Sequence, residues 1–452
     1  MFDRKEAVLM LDEPSESGKF YVFGSEIFRS QIVKVEFVKQ MPEDASTNEM
    51  WDVSFKRDGS VMAWARKIVG LPNLQYELYI AAEQKIKLSN CHGLFFGYEA
   101  VREICFHQWV DTKSVTDMSY LFCNCQHLKQ LDLSCIDTSS VTTMEGMFYG
   151  CRLLEAVDLS SVTTTLVTNM KSMFDYCKGL KQINLTKLDT QSVTDFSSMF
   201  GECESLERLS LTSFDTSKAV KMKGMFENCK SLTQLDLSNF DLSVVVDISN
   251  LFSGCESLER LILPNTSTGA LQTIGGLFQN CKKLKQLKLD NFDTTSVTNM
   301  KNVFCGCESL LALDLSHFNT AKVTDMGNLF CNCKSLTTLD LSQFNTANVE
   351  NFARMFRGCA NLTELDLSHF QTKKAKHMEN MFYGCERLKR LEIQNFDCTN
   401  AVDLSYLFYG CCMIEPLDLI EFIERLEHSN PAALKENMVA GCKQLEEQTK
   451  KE

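Results

Sequence analysis

No run of about 18 apolar residues occurs anywhere in the chain, which excludes a membrane-spanning helix. Basic residues are in the minority, 46 against 59 acidic, and the formal net charge is −13. Nucleic acid and anionic membranes demand clustered Lys and Arg, so neither is expected as a partner. The 7 histidines (His92, His107, His127, His317, His369, His377, His428) are scattered, and none pairs with Cys or a carboxylate at ligand or triad spacing. No Walker loop, Gly-x-Gly-x-x-Gly or Gly-x-Ser-x-Gly occurs. Catalysis and a bound cofactor are therefore not expected. The N-terminal apolar stretch is cut short by Asp12 and Glu13, and residues 448–452 carry no sorting or lipid motif. On these signals alone the expected location is the cytoplasm.

What the chain does have is a period. Cysteine recurs every 26 residues at Cys125, Cys151, Cys177, Cys203, Cys229, Cys255, Cys281, Cys307, Cys333, Cys359, Cys385 and Cys411. Three residues before each stands a phenylalanine, from Phe122 to Phe408. A fixed period in this range marks stacked repeats, in which each turn of chain touches only its neighbours. Although there are 21 cysteines, a disulfide framework is not expected. Equivalent positions in stacked coils lie about 4.8 Å apart with parallel side-chain directions, wider than the Cβ separation of a bridge. The ladder reads as reduced, buried thiols that pack as small hydrophobes.

Within a repeat, Leu313-Asp-Leu315, Leu339-Asp-Leu341 and Leu365-Asp-Leu367 alternate with strand period. The following segment spaces Met144, Met147, Phe148, Cys151 and Leu154 as one helical face does. Thr116, Thr142, Thr168, Thr194, Thr298 and Thr324 stand where they would cap such a helix. The residue before the ladder cysteine is Gly or Asn in ten of twelve copies, the types that accept the left-handed conformation closing a helix. The expected fold is therefore α/β, a right-handed leucine-rich-repeat-like solenoid with strand, turn and short helix in each coil.

The pattern Cys-x-x-Leu-x-x-Leu-Asp-Leu-Ser-x-Phe-x-Thr-x-x-Val-Thr-x-Met-x-x-Met-Phe resembles the repeat of BspA-like leucine-rich repeat surface proteins. The resemblance covers about residues 91–419, with conservative departures at Phe196, Phe352, Ala219 and Ala375. It implies a surface or secreted location and adhesion or recognition of a protein or glycan partner.

Residues 1–90 fall outside the period and read as a β-rich N-terminal cap, with alternating segments at 19–23, 32–38, 52–55 and 61–64. Asp58-Gly59 signals a hairpin between the last two. Residues 91–419 hold 12–13 coils. Residues 420–452 read as a helical C-terminal cap, one helix over 420–428 and a second opening at Asn430-Pro431.

The candidate partner-binding face is the outward centre of each strand, with Asp132, Asp158, Asp236, Asp314, Asp340 and Asp366. Lys285 and Lys288 invert its charge beside an irregular coil, where Thr266 replaces a phenylalanine and Pro264, Gly269, Gly275 and Gly276 appear. Against a ligand surface stands a solvated row of carboxylates, since lone carboxylates on separate coils make poor cation cages. The Cys-x-Cys pairs Cys123/Cys125, Cys305/Cys307 and Cys331/Cys333 raise a thiolate metal site, but their side chains are expected to diverge. The leading function is a non-enzymatic interaction protein. The alternatives are a structural spacer or cytoplasmic scaffold with a terminal binding module, a thiol-rich metal-binding protein, and an enzyme hidden near Trp51, Trp64, Glu77 and Tyr79.

Overall fold

The computed structural model describes residues 6–10, 20–46, 49–70 and 73–442, so Lys19 of the expected 19–23 segment lies outside the described residues. The chain divides into two units, Met1–Lys218 and Ala219–Glu452.

The first unit begins with β1 (Ile32–Val38), β2 (Trp51–Asp52), β3 (Met62–Lys67), β4 (Tyr76–Ala81), β5 (Ile86–Lys87), β6 (Glu103–Cys105) and β7 (Val110–Asp111). Five of these form a sheet in the order β2-β3-β4-β1-β6. β1 runs parallel to β4 and β6, while β3 runs antiparallel to β2 and β4. The hairpin at Asp58-Gly59 is present, with Trp51 opposite Ala63 and Gly59 at φ 73°. Alternation along β1 turns Val35 and Phe37 into the core, both fully buried. The Phe37 ring meets Phe95 at 6.3 Å and Phe106 at 5.5 Å, so the sheet packs directly on the first coil. Arg29, 3% exposed, donates to the carbonyls of Gly93 and Phe96 at 3.3 and 2.9 Å. It thereby supplies partners to backbone groups that a missing earlier coil would otherwise leave open.

The coils of this unit pair through β8 (Ala156–Asp158) and β9 (Gln182–Asn184), parallel and in register, Val157 opposite Ile183. In the second unit β10 (Gln234–Asp236) pairs with β11 (Arg260–Ile262), and β12 (Glu364–Asp366) with β13 (Arg390–Glu392), again parallel and 26 residues apart. The strands are only three residues long, so most inter-coil bonding lies elsewhere.

The expected short helix of each coil is absent: between residues 91 and 415, all described, the second half of every coil is a succession of tight turns. Met147 N–H donates to Met144 O and Cys151 N–H to Phe148 O, each closing a turn. Between these bonds, Met144, Gly146, Phe148 and Gly150 send their N–H groups to Asn169, Lys171, Met173 and Asp175 in the next coil. Gly146 and Gly150 stand third in their turns at φ 57° and 72°, as type II turns require. The same two places are left-handed at Asn328 and Asn332, and even at Arg354. A chain that returns every three residues brings Met144, Met147 and Phe148 to one side, as a helix would. That is why the spacing read as helical and the structure is not. The threonines expected to cap a helix do something else: Thr142 N–H and Oγ1 both donate to Thr116 O one coil back, at 2.8 and 3.1 Å.

The interior is a set of stacked rows. In the first unit Phe95, Phe122, Phe148, Phe174 and Phe200 stack at 5.2–5.8 Å between neighbouring centroids. In the second, Phe226 to Phe408 stack at 5.5–5.9 Å. Where Thr266 takes the place of a second-row phenylalanine, an apolar void of about 10 Å³ remains beside Phe240 and Phe292. At the far end α1 (Pro416–Ser429) accounts for the helix expected over 420–428. The second expected helix is not one. Residues after Asn430 form a further turn-built coil, with Phe408 N–H donating to Met438 O and Gly410 N–H to Ala440 O. Each unit is thus built as a repeat solenoid, mostly of extended and turn segments.

Candidate functional site

All 21 cysteines are free thiols. The ladder thiols do more than fill space. Cys151 Sγ donates to Phe122 O at 3.1 Å, Cys307 to Phe278 O at 3.1 Å and Cys385 to Phe356 O at 3.2 Å, always the ladder phenylalanine one coil back. That carbonyl also accepts a turn N–H, so the thiol takes its second lone pair. Burial pushes these thiols up, Cys255 and Cys307 to about 12, and they are neutral, inert groups. A second buried row escaped sequence reading. Thr138, Thr164, Thr294, Thr320 and Thr346 are at most 2% exposed. Thr320 Oγ1 donates to Asn345 O at 2.9 Å and accepts Asn345 N–H at 2.8 Å. The signal was present as the Phe-x-Thr of the repeat, but the residue type alone does not announce burial.

The strand row lies outward. All eight predicted binding residues are exposed. The first unit carries Asp132 and Asp158; the second carries Asp236, Lys285, Lys288, Asp314, Asp340 and Asp366. In the second unit, Lys288, Asp314, Asp340 and Asp366 occupy one position on consecutive coils, with Glu392 next. Each Asp also has a local duty. Ser134, Ser160, Ser238, Ser316, Ser342 and Ser368 donate their N–H to the carboxylate two residues earlier, at 2.8–3.0 Å. These bonds hold the carboxyls below the ordinary range, with the Ser342 N–H the leading cause at Asp340 and the Ser368 side chain at Asp366. The row is therefore firmly ionised at neutral pH.

Two shallow concavities open on these strand faces. One, of about 470 Å³ in the second unit, is lined by Asp340, Glu364, Asp366, Arg390 and Glu392, with Leu339 and Leu365 in its lining. Arg390 reaches Glu392 at 3.9 Å, which leaves the acidic groups in excess. The other, of about 560 Å³ in the first unit, is lined by Glu103, Cys105, His107, Asp132 and Cys135. In the lysine cluster, Lys282 pairs with Glu256 at 2.9 Å and Lys283 with Glu259 at 3.7 Å. Lys285 and Lys288 have no ion partner among the described residues, and neither lines a concavity described above.

Among the described residues no group of three or more His, Cys, Asp or Glu side chains is placed to share a metal ion. Among the same residues no helix is long and apolar enough to cross a membrane. Of the N-terminal residues weighed for catalysis, Trp64, Glu77 and Tyr79 come together around Arg66, with Trp64 and Tyr79 buried, whereas Trp51 makes no side-chain hydrogen bond or ring contact with them among the described residues. Trp64 and Tyr79 stack at 5.8 Å, and Arg66 lies over both rings while pairing with Glu77 and Asp44.

A family model described as "Mycoplasma protein of unknown function, DUF285" matches residues 89–184, 178–268, 263–338 and 311–418. Among solved structures, a leucine-rich repeat protein from Eubacterium ventriosum is 17% identical, covering 64% of this chain and 78% of that one with a TM-score of 0.36. A leucine-rich repeat protein of Leptospira interrogans is also 17% identical, covering 78% and 89% with a TM-score of 0.23. No curated protein matches.

Proposed function

We propose that this chain, which belongs to the DUF285 family, is a non-enzymatic interaction protein that binds a protein or glycan partner on its strand face. One observation carries the reading: the 470 Å³ concavity of the second unit, where the carboxylate side chains of Asp340, Glu364, Asp366 and Glu392 outnumber a single arginine. Such a surface complements a partner that presents basic side chains, and its charge acts chiefly on association rate and specificity. Its aspartates accept serine N–H bonds and are held low rather than tuned toward neutral pH, which supports a binding rather than a catalytic role. The resemblance to BspA-like surface proteins extends the proposal to adhesion or surface recognition and to a right-handed winding of the coils.

The test is capture by the immobilised full chain from a protein extract and, in parallel, from a glycan array. Asp340→Asn with Asp366→Asn keeps the oxygen that accepts the serine N–H and removes the charge. A partner captured by the parent at low salt should bind this variant several-fold more weakly. Lys285→Glu with Lys288→Glu should alter the association rate. Unchanged capture by both variants would move the binding surface off the strand face.

A further inference from the structure

One residue after the ladder phenylalanine, a tight turn ends that opened three residues earlier. Tyr383 N–H donates to Asn380 O at 3.1 Å, Tyr409 N–H to Tyr406 O at 3.2 Å and Ala440 N–H to Asn437 O at 3.2 Å. Stacked coil on coil, the row that ends these turns runs Arg357, Tyr383, Tyr409 and Ala440. The Arg357 guanidinium lies 4.9 Å from the centre of the Tyr383 ring, and Tyr383 stacks on Tyr409 at 4.9 Å and 11°. There the stack stops, because Ala440 has no ring to lay against Tyr409, which is 36% exposed. Tyr406 is inclined to Tyr409 by 58° at 5.8 Å. Its hydroxyl donates to Glu436 Oε1 at 3.0 Å, and Asn437 Nδ2 donates to that hydroxyl at 3.2 Å. No described residue bonds to the second carboxylate oxygen of Glu436, which is exposed with Asn437.

From this arrangement we propose that Tyr409 is the platform of a saccharide-binding site for an uncharged pyranose unit, with Tyr406, Glu436 and Asn437 as its polar flank. The site uses none of the strand-face residues and stands independently of the reading above. A pyranose has a face made mainly of C–H groups, which suits the negative face of an aromatic ring. Its hydroxyls project from the rim, where the carboxylate accepts and the amide both accepts and donates. Platform and flank are set beforehand: Tyr383 and Arg357 back one face of Tyr409, and the Tyr406 hydroxyl ties Glu436 to Asn437, so little order has to be gained on binding. Glu436 beside the platform and the net charge of −13 turn away an acidic sugar. An aromatic side chain of a protein would stack as well, but it would cover Glu436 and Asn437 without giving them hydrogen bonds. Tyr176 is the internal control. It is 37% exposed, yet Lys178 Nζ stands 6.0 Å over its ring and Tyr149 is inclined to it by 50°.

The test is saturation-transfer NMR on the full chain, with maltopentaose, mannopentaose and cellopentaose as uncharged probes and a galacturonate oligomer as the charged one. The expected result is transfer to the C–H protons of at least one uncharged probe and none to the galacturonate. Tyr409→Ala should weaken that binding about tenfold, whereas Tyr409→Phe keeps the ring and should retain it. Glu436→Gln, an exposed change that spares the fold, should weaken it several-fold. Tyr176→Ala should leave it unchanged, as should Asp340→Asn with Asp366→Asn, so a failure here is separate from a failure of the strand face. Transfer to galacturonate alone, no transfer to any probe, or binding indifferent to both Tyr409→Ala and Glu436→Gln would overturn the assignment.

Discussion

Three residues after the ladder phenylalanine, the second unit carries cysteine in every coil from Cys229 to Cys411, whereas its central strand position runs Asp236, Ile262, Lys288, Asp314, Asp340, Asp366 and Glu392. The two rows belong to the same coils, and the difference follows from what each side chain must satisfy. An inward thiol has to fit a close-packed layer and give its hydrogen to one carbonyl, as Cys307 does to Phe278. Few residues meet both demands. The strand centre has only to tolerate water, and the serine N–H bond at Asp340 is a local convenience. Interior rows hold the coils together, and the strand row is left free to vary.

The comparison sharpens under substitution. Phe304→Ala removes a ring 1% exposed and stacked between Phe278 and Phe330 at 5.8 and 5.7 Å. It should cost about 3–5 kcal/mol in denaturant unfolding, the range for a truncated core aromatic. A cost near zero would mean that the phenylalanine row does not carry the stacking.

How much of this was legible beforehand depends on what a residue type can reveal. The period and the ladder were plain, because identical residues at one spacing have few other causes. The left-handed places were legible at Gly150 and Asn332 and not at Tyr176, whose φ is 61°, because a tyrosine gives no hint of it. The helix was misread because turns that close every three residues imitate the spacing of a helical face. Threonine 320 was passed over since its burial depends on the next coil. At the candidate site, the outward row was read from alternation alone, and the structure places all eight of its named residues on the surface. Its serine contacts are short-range and could be seen only in coordinates. The concavity at Glu364 and Arg390 is lined from three consecutive coils, which no single repeat encodes.

Smaller effects test the second buried row and then the strand row. Thr320→Val keeps the shape but strands the Asn345 N–H and C=O, so unfolding should show a loss of about 2–3 kcal/mol. Thr320→Ser should recover most of it. Asp340→Asn should shift stability by no more than about 0.5 kcal/mol, since the site is exposed and solvent-screened. Its carboxyl is depressed in the folded chain, so whatever it contributes is present above the ordinary value of 3.8 and fades as pH falls below it. A drop of several kcal/mol there would give the strand row a structural duty.

The most direct measurement is stability against pH on the alkaline side, by chemical unfolding under reducing conditions. Cys151, Cys255, Cys281, Cys307, Cys333 and Cys385 are raised above the ordinary 9.0 by burial. Above pH 9 the unfolded chain releases those protons while the folded chain keeps them. Stability should then be level below about pH 9 and fall by about 1.4 kcal/mol per pH unit for each buried thiol above it. Cys255→Ala with Cys307→Ala should make the fall shallower by two such increments. Stability that stays level up to pH 12, or a slope indifferent to those two substitutions, would contradict an interior held by a ladder of protonated thiols.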